Sequence, residues 1–120
     1  MILVVDNDAQ VRKSLMRLLA SHGHDVTVVD GGREALEFLR RHTPRLIVVD
    51  LNMPEVDGVA VLRAVRADSR LSALPVVVLT AAVEDGGMTG LIASLGGDWI
   101  TKASDGWVER ILGAADHYAR

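Results

Sequence analysis

Short apolar runs alternate along this chain with segments whose apolar residues recur at helical spacing. The runs cover residues 2–5, 26–29, 46–49 and 76–79, with a weaker fifth at 99–101. They are β-branched and nearly continuous, as in parallel strands covered on both faces. Between the first two runs, Val11, Leu15, Leu18 and Leu19 fall on one helical face, while Arg12, Lys13 and Arg17 lie mostly off it; Gly23 then reads as a C′ stop. A second helix carries Ala35, Leu36 and Leu39 and is predicted to end near Thr43-Pro44. A third carries Val59, Val61, Leu62 and Val65 and is predicted to run out around residues 71–75. The last carries Trp107, Val108, Ile111, Leu112 and Ala115, with Ser104 or Asp105 as its expected N-cap. Position alone puts a fourth helix in 83–97, but Gly86, Gly87 and Gly90 fall in its interior, each costing about 1 kcal/mol relative to alanine. A short or mobile element is expected there. Five β-α repeats imply a parallel α/β sheet wound on both faces, with its ligand site beyond the carboxyl ends of the strands.

Composition narrows the function without naming it. A chain of 120 residues is expected to be one domain, residues 1–120, with a single core. The net charge of −3 gives no electrostatic reason to expect nucleic acid or a membrane surface as partner, and the four aromatic residues are too few for base stacking. With no cysteine, disulfides and thiolate metal sites are excluded, which fits a reducing cytoplasm. No apolar run approaches the roughly 20 residues of a membrane span. No signal peptide is expected ahead of the first strand, and no effector segment after the last helix. His22-Gly23-His24 reads as a solvated turn, with His42 and His117 also at helix ends.

The chemistry lies at the strand ends. The first strand ends in Asp6-Asn7-Asp8, the third in Asp50, the fourth in Thr80 and the fifth in Lys102. Clustered carboxylates suit Mg²⁺, a hard ion that uses one or two carboxylates, several waters and phosphate. A carboxylate is also a nucleophile toward a phosphoryl group, with nearby cations stabilising the transferring oxygens. Taken singly, each aspartate also reads as a helix N-cap, Thr80 as a strand-end hydroxyl and Lys102 as a solvated lysine. The set is more specific than any member.

Asp50-Leu51-Asn52-Met53-Pro54-Glu55-Val56-Asp57-Gly58 resembles the D-x-x-M-P-x-x-D-G segment of response regulator receiver domains. The order and spacing of Asp6, Asp50, Thr80 and Lys102 are also similar to that family's, and the similarity spans essentially the whole chain. The resemblance implies a flavodoxin-like, doubly wound, five-stranded parallel sheet of order 2-1-3-4-5 with five helices. It implies Mg²⁺-dependent phosphorylation of Asp50, with Thr80 as switch hydroxyl and Lys102 as phosphate-contacting cation. Asp6, Asn7, Asp50 and the backbone carbonyl of Asn52 would form the metal shell, and Trp99 would be the switch aromatic. Small Ala81 leaves room for phosphate. The implied partners are a histidine kinase or histidine phosphotransfer protein, and a downstream protein on the face of the fourth helix, fifth strand and last helix.

Two residues depart from the family pattern. Asn7 replaces the usual second carboxylate, bringing a carbonyl oxygen but no charge, while Asp8 points to the other side by strand alternation. Lys102-Ala103 replaces Lys-Pro and its cis bond; a non-proline cis bond costs about 2.5–4 kcal/mol, so a trans or strained turn is expected. Two other functions fit parts of the pattern. One is a receiver-like interaction module that works without phosphorylation, suggested by Asn7 and Ala103. The other is a haloacid-dehalogenase-like phosphohydrolase, since Val4-Val5-Asp6-Asn7-Asp8 fits its signature with Asp6 as nucleophile and Asp8 as acid/base; it leaves Asp50 unexplained.

Overall fold

The computed structural model describes residues 1–81 and 86–120. Five strands, β1 (Ile2–Val5), β2 (Val26–Val29), β3 (Leu46–Asp50), β4 (Val76–Thr80) and β5 (Asp98–Thr101), form one parallel sheet of order β2-β1-β3-β4-β5. Helices α1 (Ala9–Ser21), α2 (Gly32–Leu39), α3 (Gly58–Ala67), α4 (Gly86–Ser94) and α5 (Trp107–Tyr118) alternate with the strands. The fold is the flavodoxin-like one, and every run read as a strand is one, within one residue at each end. Part of the segment read as the fourth helix, residues 83–85, lies outside the described residues.

Strand alternation sorts the side chains into two cores. Leu3, Val5, Ile47, Val49, Val76 and Val78 meet Ala35, Leu39, Val61, Leu62, Val65 and Ile92 of α2, α3 and α4. Ile2, Val4, Leu46, Val48, Val77, Leu79 and Ile100 meet Leu15, Leu19, Ile111 and Ala115 of α1 and α5. β1, β3 and β4 are buried throughout, which explains their unbroken apolar sequence. Trp107 packs partly buried against the second core.

Helix ends depart from the sequence reading more than helix centres. Gly23, at φ 85°, does stop α1 as expected: its amide bonds to Ala20 O at 3.0 Å and that of His24 to Leu19 O at 3.0 Å, a Schellman turn. His24 does not belong to a solvated turn. It is buried, and its Nε2 lies 2.8 Å from Asp116 Oδ1 on α5. Helix α2 ends at Leu39 and α3 at Ala67, both earlier than expected. The Arg70 guanidinium donates to Leu39 O, His42 O and Thr43 Oγ1, and so takes up the carbonyls at the α2 end. Neither Ser104 nor Asp105 caps α5; Gly106, at φ 77°, precedes it with no side-chain cap. Ser104 is turned backward instead, its Oγ donating to Thr101 O at 2.9 Å.

Helix α4 forms despite its glycines, over nine residues, and ends in a second Schellman turn at Gly96, φ 71°. Its end is clamped by Arg66 of α3, which donates to Leu95 O (2.7 Å), Gly96 O (2.9 Å), Leu74 O (2.7 Å) and Ser72 O (3.2 Å). Cationic donors at a helix C-terminus satisfy its free carbonyls and oppose its dipole.

Candidate functional site

Asp6, Asp50 and Lys102 share a face because of strand parity. Asp6 continues the series Ile2, Val4; Asp50 the series Leu46, Val48; and Lys102 follows Ile100 by two. All three therefore emerge on the α1–α5 side of the sheet edge, and the pairing of Val5 with Val49 sets Asp6 beside Asp50. Lys102 Nζ lies 2.9 Å from Asp6 Oδ2 and 3.8 Å from Asp50 Oδ1. Its amide donates to Thr80 O at 2.7 Å, tying the turn after β5 to the end of β4. The Lys102–Ala103 bond is trans, like the other described peptide bonds.

Both carboxylates are buried, Asp6 completely and Asp50 to 6% exposure. Asp6 Oδ1 accepts the Asp8 amide at 2.9 Å. Asp50 is poorly provided for: the Asn52 amide reaches its Oδ1 only at 3.4 Å. Burial raises the Asp50 pKa above the ordinary carboxylate value, and the neighbouring Asp6 raises it further; Lys102 and the amides of Asn52 and Leu51 pull the other way without winning. Two carboxylates against one ammonium leave the cluster one negative charge in excess.

That excess, with oxygen-only donors, fits a divalent hard cation. Among the described residues no three His, Cys, Asp or Glu side chains gather as a ready metal cage. Two carboxylates and neutral oxygens suit Mg²⁺, which keeps much of its water, better than a cation requiring a full protein shell. Asn7 is exposed on the loop between two anchored neighbours. Asp8 is not at the site, since its Oδ1 caps α1 through Gln10 N (2.8 Å) and Val11 N (3.4 Å). Asp57 likewise caps α3. Thr80 is buried at the end of β4, Ala81 beside it is exposed, and Trp99 is half-buried against the α2–α3–α4 core.

Two contributors escaped the sequence reading. A Cβ on Gly58 would stand 2.6 Å from Asp50 O and 3.0 Å from Leu51 Cα, so the start of α3 seats against the Asp50 backbone only because residue 58 lacks a side chain. Arg12 donates from Nη1 to Asp6 O at 2.8 Å. The first had a signal in the Asp57-Gly58 pair; the second had none beyond a charge placed off the apolar face.

The family model for the response regulator receiver domain matches residues 2–106. Response regulator MprA of Mycolicibacterium vanbaalenii is 44% identical over 80 residues, 67% of this chain and 34% of that protein, so the chain spans about a third of its length. Chemotaxis protein CheY4 of Vibrio cholerae superposes with a TM-score of 0.85 at 25% identity, covering 98% of this chain and 96% of that one. The phosphorylated cyanobacterial phytochrome response regulator RcpA gives 0.87 at 27% identity, over 98% and 92%.

Proposed function

This chain belongs to the response regulator receiver family of two-component signalling, and we propose that it acts by accepting a phosphoryl group on Asp50. The observation that carries this is the trio of buried Asp6 and Asp50 with partly exposed Lys102 at the sheet edge, the ammonium 2.9 Å and 3.8 Å from the two carboxylates. An Asp50 oxygen attacks phosphorus, the bond to the donor's leaving group breaks, and the leaving group departs with its electron pair, giving an aspartyl phosphate. Lys102 meets the phosphoryl oxygens as they approach, and the Thr80 hydroxyl donates to one of them in the product. Asp6, Asn7, Asp50 and the carbonyl of Asn52 would hold Mg²⁺, which would supply positive charge to offset the anionic donor. The donor is a phosphohistidine of a histidine kinase or phosphotransfer protein in the cytoplasm.

The same reading assigns the output to the face of α4, β5 and α5. Thr80, drawn toward the phosphate, vacates space that Trp99 takes up, and a downstream protein recognises the changed surface. Among the described residues no helix is long and apolar enough to cross a membrane.

The test is treatment with acetyl phosphate and Mg²⁺ followed by peptide mass spectrometry. An adduct on Asp50, abolished by Asp50→Asn with the fold retained, is the expected result. An adduct on Asp6 would support the phosphohydrolase, and the absence of any adduct would support a phosphorylation-independent module.

A further inference from the structure

The loop between β1 and α1 is fixed almost atom by atom. The Asp6 amide donates to Val29 O at 3.3 Å, the Asp8 amide to Asp6 Oδ1 at 2.9 Å, and Asp8 caps α1. None of these bonds is made by the N–H or C=O of the peptide between Asp6 and Asn7 itself, although the Asp6 Oδ1 bond spans it. Its oxygen is taken by Arg12, whose Nη1 donates at 2.8 Å from one turn into α1. The Arg12 amide is itself anchored on Asp8 O at 3.1 Å. A peptide unit is a rigid plane, so holding the Asp6 oxygen also fixes the direction in which the chain enters Asn7.

Among the described residues Arg12 has no carboxylate within ion-pair distance. Its charge therefore stands, without a direct ion pair among the described residues, beside a site that is to hold a divalent cation. Coulomb repulsion alone makes it a liability there. What it contributes is a charge-assisted hydrogen bond to a loop carbonyl. That matters more with asparagine at position 7 than it would with aspartate. A carboxylate is drawn to a cation whatever its orientation, whereas an amide oxygen attracts as a dipole and must be aimed.

We infer that Arg12 is a positioning residue of the site: through the Asp6–Asn7 peptide it aims the Asn7 side-chain oxygen at the bound divalent cation, despite the repulsion that its own charge imposes. This deepens the Mg²⁺-dependent reading of Asp50 and rests on it.

The two effects of Arg12 have opposite signs, and this makes the inference testable. Calorimetric titration of the full chain with Mg²⁺ would compare wild type, Arg12→Met, Arg12→Gln and Arg12→Lys; methionine and glutamine are good helix formers, so α1 is retained. The expected result is binding weaker by about tenfold for Met, intermediate for Gln, and within about threefold of wild type for Lys, which keeps a cationic donor. In an Asn7→Asp background the loss from Arg12→Met should shrink to less than about threefold, a coupling that a general loosening of α1 would not produce. Without metal, the Asp8 amide should exchange faster in Arg12→Met and not in Arg12→Lys. Tighter or unchanged Mg²⁺ binding in Arg12→Met, or an equal loss in both backgrounds, overturns this inference and leaves the Asp50 reading standing. No Mg²⁺ binding by the wild type overturns both.

Discussion

Asp50→Asn should make the protein more stable. The wild-type carboxylate is 6% exposed, faces the completely buried Asp6 and has one long hydrogen bond from Asn52 N at 3.4 Å, with Lys102 3.8 Å away and engaged more closely by Asp6. An incompletely bonded buried polar group costs about 1–3 kcal/mol. An amide in its place removes the charge, keeps the shape and offers an N–H toward Asp6. At neutral pH the gain should therefore be about 1–3 kcal/mol, or roughly 4–12 °C in Tm at this chain length. Its pH dependence has a definite sign. Unfolded, Asp50 titrates near its ordinary value of 3.8; folded, its pKa is raised, first by burial and then by Asp6. Between the two values the folded state holds the proton more tightly, so wild-type stability falls as pH rises through that window and is level above it. The mutant lacks this fall. Thermal melts of both proteins in EDTA, from about pH 7 down to about pH 4, should show a gap that closes toward the acid end. A mutant that melts at or below wild type at neutral pH, or a gap indifferent to pH, refutes the account of Asp50 as a destabilised carboxylate.

Three further outcomes are expected. Asn7→Asp adds a charge at the proposed cation site and should tighten Mg²⁺ binding by about ten- to a hundredfold, while lowering the metal-free Tm by repulsion with Asp6 and Asp50; titration and paired melts check both. Gly58→Ala puts a methyl 2.6 Å from Asp50 O and should cost about 1–3 kcal/mol in urea denaturation, with slower labelling of Asp50. Arg66→Met removes four bonds to main-chain oxygens and should cost about 2–4 kcal/mol; hydrogen exchange should speed up at the Gly96 and Gly97 amides, with Arg66→Lys restoring only part of the protection.

The sheet was legible because strands buried on both faces leave no position for polar residues, so residues 46–49 and 76–79 announce themselves. Parity then carries Asp6, Asp50 and Lys102 to one face, which is why strand ends sufficed to find the site. What local pattern could not give was set by distant partners. Arg70 closes α2 from 31 residues away at Leu39, and His24 is buried by Asp116, 92 residues on. Ser104 looked like a cap because its type favours caps, but its hydroxyl is committed to Thr101. At the site itself, the sequence supplied the members of the cluster but not their preferences: that Lys102 sits closer to Asp6 than to Asp50, and that Asp8 belongs to the helix, are facts of geometry.

The Arg66 clamp is addressed entirely to main-chain oxygens, at Ser72, Leu74, Leu95 and Gly96. Such a contact does not register what the side chains at 72, 74 and 95 happen to be. Around the end of α4, exposed positions such as Ser72 can therefore change, one substitution at a time, while the helix stays moored by a single arginine.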